Sequence, residues 1–448
     1  MYYKSLIETL KDDDTNNRII YDDTNNRIIV NNQVSKGNTV FIDATLNPKD
    51  IYICPQCSST NVIKFGKKER LIKDDYLSNR TTLITLHYNR LRCKDCLKMF
   101  NDSLPSLDAK KTLSLPLKLN ILEDLKEDMS FTTIARKRNV SIQTVIDIFE
   151  SYVSFDRVPF GEVLCMDEFK NLKHSKGKYA FVMYDPNAHA INDILPDRIQ
   201  GTIDDYLYKV DWHEKDKVKY VVTDMNESYR TIIHKHFKNA THIIDCFHFL
   251  RYVEDALNSV RIRIQGLFKD TDKEYKILKK NWRILSAYYI DIEGENIYNH
   301  IQKKDTSATQ ILIDASCVHK DIEEAYNLTQ EFLYGVRTVK YEEASKWMDD
   351  WIKKIKESNC KEFVDLAGMF INWKIEIINS FIRFGDKRLH NGYLEGINNK
   401  IKVIKRISYG YSNFSHFRNR IMYMINSDYV IKMVDTSKIA RKPRKKKN

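Results

Sequence analysis

Residues 161–169 read GEVLCMDEF, an apolar run broken by the adjacent carboxylates Asp167 and Glu168. An ionised carboxylate in an apolar strand is costly unless it is paired or bound to metal. Side chains alternate along a strand, so Asp167 and Glu168 face opposite sides and only one of them can serve a given site. Moving outward, KYAFVMYD (178–185) and HAINDIL (189–195) read as the next two strands, linked by HSKGK and by the short turn PNA. A helical stretch, GTIDDYLYKV, comes next. Then follow the strand KYVVTD ending in Asp224, the helix ESYRTIIHKHF and the strand THIID ending in Asp245. This order predicts an α/β domain with two strand-borne aspartates, Asp167 and Asp224. Asp185 precedes Pro186 at a turn and reads as structural, whereas Asp245 and His248 lie close enough in sequence to approach the site.

The third acidic candidate, Glu395, lies in NGYLEGINNKIKVIKR (391–406). At helical period Leu394, Ile397, Ile401 and Ile404 form an apolar stripe. Glu395, Asn398, Lys402 and Arg406 share an edge about 100° away. Such a helix can pack on a sheet and present one carboxylate beside several phosphate-binding cations. Taken alone it reads equally as a surface helix of mixed charge. Two aspartates and a glutamate are what a two-metal phosphoryl-transfer site requires, since hard oxygen ligands hold Mg²⁺.

Between Phe247 and Phe384 the helical period dominates. Trp347, Trp351 and Ile355, and then Phe363, Leu366, Phe370, Trp373 and Ile377, recur at three- and four-residue steps and read as core stripes.

Four of the eight cysteines form CPQC (54–57) and CKDC (93–96), separated by a β-rich segment. Cys54, Cys57, Cys93 and Cys96 suit a closed tetrahedral Zn²⁺ site of structural type. The rival readings are chance pairing and a redox CxxC. Downstream, SFTTIARKRNVSIQTVIDIFESY (130–152) has helix-turn-helix spacing. Asn139 stands at the turn, where a left-handed conformation is required, and Ser141 is placed to cap the next helix. Gln143 and Thr144 fall at the start of the second helix, where base contacts are made, with Arg136, Lys137 and Arg138 just before it. The rival reading is an ordinary helical hairpin.

With 448 residues the chain has room for about three domains. A net charge of +12 favours a polyanionic partner. No apolar run reaches the roughly 18 residues that span a bilayer, and the N-terminal stretch lacks signal-peptide character. The scattered cysteines fit a reducing compartment. DDTNNRII occurs twice, from Asp13 and from Asp22, as a short tandem duplication, and SKIARKPRKKKN (437–448) is a basic tail.

The order CPQC, CKDC, helix-turn-helix, MDEF, VVTDMN, IDCFHF and LEGINNKIKVIKRISYGYSNFSHFRNR resembles the bacterial ISL-three insertion-sequence transposases. The most specific parts are EGxNxxIKxxKRxxxGYxxFxxFRxR (Glu395 to Arg420), DxFH (Asp245 to His248) and the paired CxxC. The N-terminal duplication and Cys246 depart from the pattern without touching the acidic residues. The resemblance implies a multidomain α/β protein whose RNase H-like catalytic domain carries a large α-helical insertion, preceded by a zinc ribbon and a helix-turn-helix. The implied segments are 1–50 (N-terminal extension), 51–105 (zinc ribbon), 110–156 (helix-turn-helix), 160–250 and 386–430 (catalytic domain), 251–385 (helical insertion) and 431–448 (tail). It implies a DDE triad of Asp167, Asp224 and Glu395 on Mg²⁺ or Mn²⁺, and Zn²⁺ on the four cysteines. Implied DNA contacts are Arg136, Lys137, Arg138, Gln143, Thr144, Lys402 and Arg406. The partners would be double-stranded DNA, as terminal inverted repeats and target, and a second copy of the chain on DNA, without any membrane. The location would be the bacterial cytoplasm at the nucleoid. Two rivals remain: a non-catalytic regulator derived from a transposase, and an RNase H-like nuclease for RNA or junctions.

Overall fold

A computed structural model describes residues 28–77, 80–102, 112–153, 157–173, 175, 177–385, 387–408 and 413–426. The first copy of the duplication, most of the second, and the basic tail lie outside these residues. The chain divides into two compact units, with breaks after Asp156 and after Lys400.

In the first unit, β1 (Ile28–Lys36) and β2 (Thr39–Leu46) form an antiparallel hairpin turning at Gly37, whose φ of +57° suits a residue without Cβ. β3 (Val62–Leu77) and β4 (Arg80–Cys93) form a longer hairpin, and β5 (Met99–Asn101) pairs with β4. The two hairpins join through a parallel pairing of β2 with β4, giving the order β1-β2-β4-β3. Alternate residues Val40, Ile42, Ala44 and Leu46 of β2 are buried with Ile28, Ile72, Ile84 and Leu86, so period-two patterning builds this core. The residues 28–46, expected as part of an N-terminal extension, therefore share a sheet with the segment bearing the cysteines.

Three helices follow: α1 (Leu115–Asp124), α2 (Phe131–Lys137) and α3 (Ile142–Tyr152). Serines 114, 130 and 141 cap them, each accepting from the N–H three residues on. Leu117, Ile121, Ile134, Val145 and Phe149 form their core. Tyr423, from the helix Phe414–Ile425 of the same unit, is buried there and donates to Leu122 O at 2.9 Å.

In the second unit, β6 (Val163–Lys170), β7 (Tyr179–Asp185) and β8 (Ala190–Leu195) form an antiparallel meander. After α4 (Gln200–Tyr208) and α5 (Trp212–Asp216) comes β9 (Tyr220–Thr223), parallel to β6. α6 (Glu227–His236) then leads to β10 (Thr241–Ile244), parallel to β9. The order is β10-β9-β6-β7-β8. One sheet face packs Leu164, Met166, Phe181 and Met183 against Ile203 and Leu207 of α4 and Tyr229, Ile232 and Ile233 of α6. Beyond β10, α7 (Cys246–Gln265) opens a helical region that runs to Asn379 with one small hairpin, Asn296–Asn299 with Lys304–Ser307. Val253, Leu257, Phe332, Trp351, Ile355, Phe363 and Phe370 meet in its core, so the aromatic stripes are packing surfaces. The helix Gly392–Ile407 carries the last acidic candidate.

Candidate active site and zinc centre

Each CxxC closes a tight knuckle. Ser58 N–H donates to Cys54 O and Cys54 N–H to Ser59 O, both at 2.9 Å, and Cys93 N–H donates to Lys98 O at 2.9 Å. The residue after each second cysteine, Ser58 and Leu97, is left-handed at φ +59° and +61°, which turns the chain back toward the sulfurs. The four sulfurs lie within 4.8 Å of one another, with Cys54–Cys96 at 3.5 Å and Cys57–Cys93 at 3.6 Å. Tetrahedral thiolates about 2.3 Å from zinc would stand roughly 3.8 Å apart, so the cluster fits the ion. Burial opposes ionisation of the Cys54 thiol, but the backbone N–H groups of Cys57 and Gln56 favour the thiolate and bring it down to about 6. All four positions are filled by protein, as in a structural site.

Between α2 and α3, Asn139 adopts φ +49°, and its carboxamide donates to Thr81 Oγ1 at 3.0 Å. Gln143 is exposed and donates to Asp147; the Thr144 N–H donates to Ser141 Oγ at 3.0 Å. Arg136 is exposed. Arg138 is buried, its guanidinium spanning Asp75 of β3 at 2.9 Å and Asp124 of α1 at 2.6 Å, while Lys137 reaches Asp124 at 2.7 Å. The basic triplet thus splits into two exposed cations, of which Lys137 is paired with Asp124, and one interior tie between sheet and helices. Lys402 and Arg406 are exposed.

The acidic residues of the second unit gather where parallel strands end. Register pairs Cys165 of β6 with Val222 of β9, so two residues further on Asp167 comes level with Asp224, just past the carboxyl end of β9. Asp245 stands just past the end of β10, its N–H bonded to Thr223 O at 3.0 Å. In open α/β sheets this edge is where ligands bind. Asp167 Oδ1 accepts the Glu168 N–H at 2.7 Å and its Oδ2 accepts Asn398 Nδ2 at 2.7 Å. Burial and then the charge of Asp224 push the Asp167 carboxyl up to about 7. Burial likewise raises Asp245. In its ionised form such a buried carboxylate is stabilised by a cation beside it.

His248, on the first turn of α7, places Nε2 2.7 Å from Asp224 Oδ1. Burial of the ring disfavours its charge, but the carboxylates of Asp224, Asp245 and Asp167 outweigh that and raise its pKa. Glu168 points to the opposite face, as alternation requires, and bonds the Tyr229 hydroxyl and Arg198. Asp185 Oδ1 caps its own turn through the N–H groups of Asn187 and Ala188.

Glu395 is exposed on the Gly392–Ile407 helix. Among the described residues the four cysteines are the one set of three or more acidic, histidine or cysteine ligand atoms gathered within 4.8 Å. The helix is nonetheless tied to β6 on either side of Glu395. Asn391 Nδ2 donates to Met166 O at 3.1 Å, and Asn398 donates to Asp167. Positions 391, 395 and 398 fall within about 60° on one helix face. Asn391, which the sequence reading passed over, gave as its one signal a capping-type residue just before the helical period begins.

Residues 164–421 match the ISL3 transposase domain, described as "Transposase". Residues 52–96 match the ISL3 zinc ribbon, described as the zinc-finger of transposase IS204/IS1001/IS1096/IS1165. The first match alone covers more than half of the chain, so the protein belongs to the ISL3 family of insertion-sequence transposases. It is also similar to the transposase for insertion sequence element IS1001 of Bordetella parapertussis, with 22% identity over 262 residues. That match spans 57% of this chain and 59% of the relative. Among the described residues no helix is long and apolar enough to cross a membrane.

Proposed function

We propose that this protein binds the terminal inverted repeats of an insertion sequence, cleaves a DNA strand at the element's end and transfers the freed 3′-OH to target DNA. The observation that carries the reading is the placement of Asp167 on β6 level with Asp224 at the end of the adjacent parallel strand β9, with the Glu395 helix tied to the same β6 segment. A meander followed by two parallel strands on its first edge, in the order β10-β9-β6-β7-β8, is the arrangement expected of an RNase H-like domain.

In this reading Asp167, Asp224 and Glu395 hold Mg²⁺ or Mn²⁺, as the oxygen-only donor set favours. Bound there, the metal supplies a more acidic water and charge neutralisation on the attacking and leaving oxygens. The chain's own contribution is rigid placement. β6 and β9 fix the two aspartates, and the amides of Asn391 and Asn398 fix the glutamate-bearing helix. His248 holds Asp224 in one orientation. The zinc ribbon and the helix pair α2–α3 bind duplex DNA, with Gln143 and Thr144 toward the bases and Arg136 toward phosphate. Cutting two ends in concert requires at least two copies of the chain on the DNA.

The test is cleavage of an end-labelled inverted-repeat duplex in Mg²⁺. Asp167→Asn, Asp224→Asn and Glu395→Gln should each lower the rate at least about a thousandfold while retaining repeat binding. Glu168→Gln, on the opposite face, should cost little because a carboxamide still accepts from Tyr229. Full activity of Glu395→Gln would remove the helix from the chemistry.

A further inference from the structure

Two side-chain amides beside the carboxylates are only half used. Asn391 is buried; its Nδ2 donates to Met166 O at 3.1 Å and its backbone N–H to Asp245 Oδ1 at 3.3 Å. Asn398 Nδ2 donates to Asp167 Oδ2 at 2.7 Å. A carbonyl and a carboxylate can only accept, so the nitrogen of each amide is fixed as the prong that faces them. The other prong, Oδ1 of Asn391 and of Asn398, is buried with no donor among the described residues. An unpaired buried carbonyl costs about 1–3 kcal/mol. Asn391 even forgoes a cap: its backbone carbonyl accepts the first-turn N–H groups of Leu394 and Glu395, but its side-chain oxygen accepts none.

The two amides differ in what they touch. Asn391 meets main chain at Met166 and so anchors the helix. Asn398 meets the Asp167 carboxylate itself, and its second prong lies one amide width away. We propose that Asn398 is a neutral oxygen ligand of the divalent-cation site, its Nδ2 holding Asp167 in place while its Oδ1 binds the ion; this rests on the reading that Asp167 and Asp224 hold such an ion. An amide carbonyl is a hard donor suited to Mg²⁺ and Mn²⁺. Its neutrality has a purpose here. Asp167 on β6, and Asp224 and Asp245 just past the ends of β9 and β10, already crowd the same end of the sheet on three adjacent strands. A further carboxylate would add repulsion there whenever the ion is away, whereas an amide adds a ligand without adding charge.

The experiment is calorimetric titration of Mn²⁺ into the zinc-loaded full chain, comparing wild type with Asn398→Ala and Asn398→Asp. The expected result is affinity about tenfold weaker for Asn398→Ala, and equal to or tighter than wild type for Asn398→Asp, which restores an oxygen ligand. A purely structural amide predicts the reverse for the aspartate variant. It could not donate to Asp167 and would repel it, leaving affinity at or below that of Asn398→Ala. Wild-type affinity in Asn398→Ala, or aspartate weaker than alanine, overturns the assignment. If the alanine variant does not fold, Asn398→Asp alone decides, with affinity below wild type counting against it. Wild type that takes up no Mn²⁺ overturns the cation reading and this assignment with it, whereas Mn²⁺ uptake abolished by Asp167→Asn but untouched at Asn398 overturns the assignment alone.

Discussion

Asn398 Nδ2 lies 2.7 Å from Asp167 Oδ2, joining residues 231 positions apart in the chain. The contact ties the Gly392–Ile407 helix to the strand whose carboxylate is the most perturbed of the acidic group. Among the described residues an amide and one backbone N–H are the hydrogen-bond donors to this buried carboxylate, and its ionised form beside Asp224 works against the stability of the fold when no cation is bound.

Asp167→Asn should therefore separate stability from activity. It removes a buried charge and keeps the volume, so unfolding of the zinc-loaded protein without Mg²⁺ or Mn²⁺ at pH 8 should require about 1–3 kcal/mol more than in wild type. Cleavage should be lost in the same variant. Denaturant melts in chelator-free, zinc-loaded buffer measure the first effect. A variant less stable than wild type would mean that Asp167 already has full charge compensation within the fold.

Cys93→Ser should release the zinc. The sulfur spacing of 3.5 and 3.6 Å leaves no open position, so each cysteine is a necessary ligand. Elemental analysis should give about one zinc per wild-type chain and much less in the variant. The β3–β4 end near Cys93 should become protease-sensitive, because metal binding in such sites is folding free energy. Zinc retained at full occupancy in Cys93→Ser would exclude the four-sulfur site.

What the sequence made legible was what local spacing controls. The apolar run at 163–166 and the alternation through Glu168 marked β6 and separated the faces of Asp167 and Glu168. The CxxC pairs marked the knuckles, and Asn139 followed by Val140 and Ser141 marked the turn that the structure shows at φ +49°. What stayed hidden depends on partners far along the chain. The parallel pairing of β2 with β4 is set by register between segments about forty residues apart, which no local pattern records. The triplet Arg136, Lys137 and Arg138 looks uniform in sequence, yet Arg138 is drawn inside by Asp75, 63 residues away, and Asp124, 14 away. The Asn391 and Asn398 ties were invisible for the same reason, since an amide carries no sign of which backbone or carboxylate it will meet.

That split among the cations predicts different failures. Asp124→Ala removes one of the two carboxylates that hold the buried Arg138 and should destabilise the first unit by about 3 kcal/mol, the low end of the cost of breaking a buried ion pair from one side, because Asp75 remains. Arg136→Ala should leave stability within about 0.5 kcal/mol and instead weaken DNA binding while reducing its salt dependence by about one counterion. Thermal melts paired with binding isotherms at several salt concentrations distinguish the two. An Arg136→Ala variant with unchanged affinity and salt slope would place the DNA surface elsewhere.

His242 supplies a pH test independent of the carboxylates. It lies buried in β10, with Nε2 2.8 Å from Thr223 Oγ1 and its ring in a T-shaped arrangement with Trp373. Burial first, and then the positive charge of Arg230, push its pKa down to about 3 from an ordinary 6.5. Between those values the unfolded chain binds a proton that the folded chain refuses, so unfolding consumes one proton. Stability from this residue is fully present above pH 6.5 and falls as pH drops, by up to about 1.4 kcal/mol per unit. His242→Gln keeps a hydrogen-bonding partner for Thr223 but cannot charge. Its denaturation free energy should therefore fall less steeply than that of wild type between pH 6.5 and 4.5, the gap growing by about one proton's worth. Zinc release and carboxylate titration occur in both proteins and cancel in the comparison. Parallel pH profiles for the two proteins would mean that His242 takes up its proton in the folded state at an ordinary pH.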